Sequence, residues 1–259
     1  MKDRPMPRLA PLPAVALALA CAAHAASAAE PPGLVLQVGD FNAADWTLLA
    51  ITDDGPADAA MVIDANLGNP GSHWVVSYVT PPGGGVSSSV NRLGAFYMAA
   101  AYAPALSGAL QRLEFSADIR AISSSFAFDT LGQIRPTLLQ DGVTYTVIGS
   151  DFSTSKTQLG PYLSRQWSFE ATAADWVPPT AGSAQRPDFS AGAAPIYVGF
   201  RYALSTSCSS ANGCAGGSAF LSVDNFSATL TPVAAAVPEP SAWLLLATGL
   251  GLVALRRRA

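Results

Sequence analysis

Few residues in this 259-residue chain have the chemistry for catalysis, and their types narrow the choice. Of two histidines, His24 lies near the N-terminus and His73 heads the run His73-Trp74-Val75-Val76-Ser77. A hydrolase built on a Ser or Cys nucleophile therefore has one base to draw on within the body of the chain. No Gly-x-Ser-x-Gly elbow occurs, and a single histidine with one cysteine pair suits zinc poorly. His73 reads more simply as an exposed histidine at a strand edge. Glycoside hydrolysis asks for two carboxyls flanking a bond, and Glu114 and Glu170 are the glutamates that fall within strand-like segments. Glu114 lies beside Arg112 and Arg120, the pattern of a cross-strand ion pair. Glu170 closes the aromatic run Arg165-Gln166-Trp167-Ser168-Phe169, a strand suited to lining a sugar cleft. Aromatic faces also bind sugars without catalysis, and Trp176, after Asp175 and before Pro178-Pro179, is the one expected in an exposed loop as a ligand platform. Cys208 and Cys214 bracket five residues of a loop and are expected to form a disulfide in an oxidising compartment.

The elements that would carry these residues are strands. Leu113, Phe115, Ala117 and Ile119 alternate with Glu114, Ser116, Asp118 and Arg120, the period of a strand with one dry and one wet face. Ile196, Val198, Phe200, Tyr202 and Leu204 repeat that pattern. Similar segments begin at Leu34, Trp46, Ala60, His73, Ala95, Ser125, Gln133, Val143, Arg165 and Ser218, separated by turns such as Asp53-Asp54-Gly55 and the hairpin signal Asp141-Gly142. The alanine-rich stretch 97–110 competes for helix, but Pro104 and Gly108 oppose it. Fold class is therefore all-β, an antiparallel sandwich with jelly-roll connections. The final strand carries an anomaly. Leu221 and Val223 have one parity, while Phe226, Ala228 and Leu230 share the other with Asp224. Either a β-bulge resets the register near Asp224-Asn225, or the strand is buried on both faces with Asp224 inside.

Both ends of the chain are addresses. Lys2, Arg4 and Arg8 precede an apolar core from Leu9 to Ala23, and small residues with Ala26-Ser27-Ala28 follow, so 1–28 reads as a secretory signal peptide. The body, 29–231, is one domain, joined by a linker over 232–237 to the final segment, 238–259. Between Glu30 and Ala236 there are eight basic residues against sixteen acidic, a net charge near −8, which excludes nucleic acid as a partner. The final segment has three parts in order: Pro238-Glu239-Pro240, an apolar run over 241–255, and Arg256-Arg257-Arg258. Fifteen residues are fewer than the roughly twenty that cross a bilayer core, so Trp243 and the snorkelling arginines extend the span. The arginines place that end in the cytoplasm and the tripeptide outside the inner membrane.

This arrangement resembles the PEP-CTERM sorting signal of Gram-negative bacteria. The resemblance implies export, transient inner-membrane anchoring facing the periplasm, processing by an exosortase, and association with the cell surface or exopolysaccharide of a biofilm; it implies no activity for the body. A second likeness rests on Asp40-Phe41-Asn42 through Leu48 and on Leu221 through Leu230, which look like the opening and closing strands of carbohydrate-binding jelly rolls. That likeness implies pairing of the first and last strands and a structural calcium at the positions of Asp40 and Asp224. The expectation is an exported, non-enzymatic module that binds glycan weakly or builds matrix, with a glycan hydrolase using an Asp/Glu pair, or a plain membrane-anchored structural protein, as alternatives.

Overall fold

Strand after strand follows the alternation of the sequence. In the computed structural model, which describes residues 33–54, 58–66, 68–80, 87–125, 130–149, 152–155, 159–179, 183–208, 216–234 and 250, the chain-order strands begin with β1 (Leu34–Val38), β2 (Trp46–Asp54), β3 (Asp58–Asp64) and β4 (His73–Thr80). β5 (Ser87–Tyr97), β6 (Leu110–Ser124), β7 (Thr130–Gln140), β8 (Val143–Val147) and β9 (Phe152–Ser155) follow. β10 (Leu163–Glu170), β11 (Trp176–Val177), β12 (Tyr197–Cys208) and β13 (Gly217–Pro232) complete the set. The alanine-rich stretch yields one helical turn, α1 (Pro104–Ser107), started by proline and stopped by Gly108 at φ 88°. Asp141 and Gly142, both at positive φ, make the tight turn between β7 and β8.

Two antiparallel sheets result. The first runs β10-β6-β13-β4-β3, with β1 also paired to β13, so that Leu34 faces Leu230 and the first strand closes on the last. The second runs β11-β8-β7-β12-β5-β2, with β9 beside β7. Leu113, Phe115, Ala117 and Ile119 from one sheet and Val198, Phe200, Tyr202 and Leu204 from the other share a core. Aromatic rings link its parts. Trp46 lies 5.9 Å from Trp74, 5.9 Å from Phe200 and 5.7 Å from Phe226, and Phe226 reaches Phe115 at 6.4 Å. The compact unit extends from Pro31 to Val233.

Among the described residues no helix is long and apolar enough to span a bilayer. The expected signal peptide 1–28, the tripeptide Pro238-Glu239-Pro240, the arginines 256–258 and Cys214 lie outside the described residues, as does the expected span 241–255 apart from Leu250. The expected pairing of Cys208 with Cys214 falls there with them.

Candidate functional site

Three aspartates from three separate segments converge on the turn between β3 and β4. β13 supplies Asp224 at the point where its register slips against β6, between Asp224 and Ser227, and where Asn225 takes φ 47°. The slip reconciles the anomalous parity. Ala219, Leu221 and Val223 are buried before it, Phe226, Ala228 and Leu230 after it, and Asp224 itself is fully buried. Both readings of the anomaly hold together: a bulge, with the carboxylate inside.

That carboxylate is satisfied by backbone. Asp224 Oδ1 accepts the Asn225 N–H at 2.7 Å, and Oδ2 accepts the N–H of Asn69. Asp40 approaches the same turn from the segment after β1, its Oδ1 accepting the Ser72 N–H at 3.2 Å. Asp118 of β6, opposite Asp224 in register, accepts from Asn225 Nδ2 at 2.8 Å, from Asn69 Nδ2 at 3.3 Å and from the Ser164 hydroxyl. Glycine is required where the turn meets these oxygens. A Cβ on Gly71, at φ 90°, would collide with Asp40 Oδ1, and one on Gly68 would strike the Gly71 carbonyl. Asp40 and Asp224 are thus brought to one turn, as the jelly-roll likeness implied, where their oxygens accept the N–H groups of Asn69, Ser72 and Asn225. Among the described residues no group of three or more His, Cys, Asp or Glu is arranged to hold a metal. Asp118, Asn69 and Asn225 were not singled out by the sequence, although Gly68-Asn69-Pro70-Gly71 is a strong turn signal.

Trp176 is not an exposed platform. It is fully buried, paired through β11 to Val147, with its indole 5.7 Å from Phe169 and 6.4 Å from Phe189. The turn Ala173–Asp175 places it: the Trp176 N–H returns to the Ala173 carbonyl, and the Asp175 carbonyl accepts from Ile148 at 2.9 Å. The same tetrapeptide, Ala-Ala-Asp-Trp, ends at Trp46, where Ala43–Asp45 makes an equal turn and the Asp45 carbonyl accepts from Met98 at 2.7 Å. The repeated tetrapeptide was the available signal that both tryptophans are core.

His73 is likewise buried, not exposed, because β4 lies between β13 and β3. Neither ring nitrogen has a hydrogen-bond partner, and burial lowers its pKa despite Asp64 and Asp224 nearby. It reaches no nucleophile. Glu114 pairs with Arg112 within β6 at 3.2 Å, both about half exposed, rather than across strands. Glu170 faces Arg112 in register, so an arginine stands beside both glutamates.

The outer face of β10, β6 and β13 bears a different arrangement. Gln166, Ser116 and Ser227 form one row across the three strands, and Ser168, Glu114 and Thr229 form the next. The Ser116 and Ser227 hydroxyls meet at 2.7 Å, and the Arg112 guanidinium donates to Ser168 Oγ at 3.0 and 3.1 Å. A depression of about 310 Å³ lies over these rows. Amide, hydroxyl and carboxylate groups are the donors and acceptors that sugar hydroxyls use.

Residues 236–258 match the model of the PEP-CTERM protein-sorting motif. The chain therefore carries that motif at its C-terminus, and the motif implies exosortase processing of an exported, membrane- or surface-associated protein. A search of curated protein sequences finds no match. Among solved structures, the chain is similar at 10% identity and TM-score 0.38 to the CBM22-1–GH10 modules of endo-1,4-β-D-xylanase 10B from Clostridium thermocellum, complexed with xylohexaose, covering 78% of this chain and 29% of that one. It is similar at 12% identity and TM-score 0.37 to the tandem CBM22 modules of a Paenibacillus barcinonensis xylanase, covering 81% and 49%. A cellulose-induced protein matches at 11% identity and TM-score 0.36, covering 75% and 95%. The chain spans less than half the length of the first two. At these identities and scores the likeness assigns no function.

Proposed function

We propose that the protein is an exported, non-catalytic jelly-roll module that an exosortase sorts through Pro238-Glu239-Pro240 to the cell surface or exopolysaccharide matrix, where the module holds glycan. The observation that carries this reading is the sorting motif over 236–258. On this reading the signal peptide 1–28 starts export, the apolar run 241–255 halts it, and Arg256, Arg257 and Arg258 hold the tail on the cytoplasmic side until processing. Replacing Pro238, Glu239 and Pro240 with alanine is expected to leave full-length protein in the inner-membrane fraction. Release at the wild-type level would overturn the sorting assignment.

Glycan holding is supported by the polar rows on the outer face of the first sheet. The hydrolase alternative is weaker, because Arg112 bonds Glu114 and faces Glu170 on an open sheet face, whereas an acid catalyst needs a carboxyl held protonated. A glycan array probed with residues 29–231, with and without chelator, tests the reading: retention of neutral oligosaccharides that Gln166→Ala weakens supports it, and no retention overturns it.

A further inference from the structure

Three arginines far apart in the chain meet on the outer face of the second sheet. Arg201 of β12 stands opposite Arg135 of β7, and Ala203, two residues on, stands opposite Arg92 of β5. Together they line a cavity of about 330 Å³, closed on another side by Val177, Pro178 and Pro179. Arg201 is 5% exposed. Its Nη1 donates to Thr146 Oγ1 at 3.5 Å, while its Nε has no hydrogen-bond partner. Among the described residues lining the cavity there is no Asp or Glu. Burial, then the neighbouring Arg135 and Arg92, lower the Arg201 pKa from 12.5 to about 10. A guanidinium desolvated beside two others is costly to the fold on its own account, and the body of the chain is otherwise acidic.

We propose that this cavity binds the carboxylate of an acidic sugar unit. Guanidinium groups take carboxylates through paired, charge-assisted hydrogen bonds, and an oxyanion among these arginines would give the Arg201 Nε an acceptor. The rest of the lining suits a sugar ring more than a bare inorganic anion. Gln133 and Thr146 offer an amide and a hydroxyl, and the two prolines form an apolar wall for the C–H face of a ring. The volume lies at the small end of ligand sites, enough for a unit of a chain. This site extends the glycan reading to a second face with its own selectivity.

Titration calorimetry of the full chain in detergent tests it, with oligomers of galacturonate, glucuronate and mannuronate, their neutral counterparts, and sodium sulfate. Acidic oligomers are expected to bind more tightly than neutral ones, and less tightly as salt rises. Arg201→Met is expected to weaken acidic binding by about 10–100-fold with an unchanged or higher melting temperature, since it removes a buried charge without stranding an anionic partner. Arg92→Gln, at a half-exposed position, provides a second variant should the first fail to fold, and is expected to weaken binding in the same direction. Equal binding of acidic and neutral oligomers, sulfate held while every uronate is ignored, or unchanged affinity in folded variants would each overturn the proposal. Neutral binding that survives both substitutions belongs to the first sheet and leaves the glycan reading standing; binding of no oligosaccharide at all would remove both.

Discussion

Asp224→Ala asks whether backbone hydrogen bonds to a buried aspartate hold the Gly68–Ser72 turn against the sheet. The carboxylate is fully buried and takes two N–H groups, from Asn69 and Asn225. A hydrogen bond to a charged group contributes about 1.5–3 kcal/mol. Alanine removes both bonds, but Asn69 is exposed and its N–H regains water, whereas Asn225 is half-buried. The expected loss is therefore about 3–4 kcal/mol, below the full sum for two bonds. Asp224→Asn keeps the shape and one acceptor oxygen but turns an amide NH₂ toward the other N–H, so its loss should be smaller, about 2 kcal/mol. Urea unfolding of residues 29–231 at neutral pH measures both, and m-values should stay equal if only stability changes. Chelator should leave the wild-type midpoint in place if the N–H groups of Asn69, Ser72 and Asn225 are what hold these oxygens. A loss within about 0.5 kcal/mol for alanine, the size of an ordinary surface change, would refute the reasoning. So would a chelator effect as large as the substitution.

His73 gives a pH-dependent outcome. Burial sets its folded pKa below 6.5, so above that value neither state is protonated and the residue contributes no slope; as pH falls through 6.5 the unfolded chain takes the proton first and stability declines until the folded pKa is passed. Its imidazole resonance should therefore titrate below 6.5, and His73→Phe should flatten the stability profile below pH 6.5; titration at or above 6.5 would contradict the buried site. Trp176→Ala should cost about 3–5 kcal/mol, as truncation of a core aromatic does, measured by thermal unfolding. Loss of sugar binding with unchanged stability would instead restore the exposed-platform reading.

The strands were legible because each buries one face, and burial on one face writes period two into the sequence. β6 shows this most directly between Leu113 and Ala121, where Leu113, Phe115, Ala117, Ile119 and Ala121 are buried on one parity. Even the register slip in β13 was written there, as the change of parity at Asp224. Trp176 misled for a local reason. Asp175 and Pro178-Pro179 are loop residues by type, yet the turn at Ala173–Asp175 lasts one turn and returns the chain to a sheet edge, so polar neighbours flank a side chain that points inward. Trp46 has the same local sequence before it and a clear strand after it, and the pair, read together, would have placed both. His73 misled because the position of β4 within its sheet depends on β13, which arrives some 140 residues later and covers what a local reading leaves open.

The arginines show the complementary limit. Seven of them lie between Glu30 and Ala236 against sixteen acidic residues, and a count along the chain predicts a surface that repels anions. Charge acts in space over roughly 8–10 Å at ordinary ionic strength, a distance that in a sheet covers two neighbouring strands. β5, β7 and β12 are such neighbours, and they place Arg92, Arg135 and Arg201 around one cavity while the aspartates gather on the β3–β4 turn of the other sheet. The net charge therefore governs long-range approach, disfavouring a polyanion such as nucleic acid, while the local field in the cavity governs what is held once contact is made. An acidic sugar chain with spaced carboxylates fits both conditions better than a densely charged one, and its binding should weaken less steeply with salt than binding to a polyphosphate would.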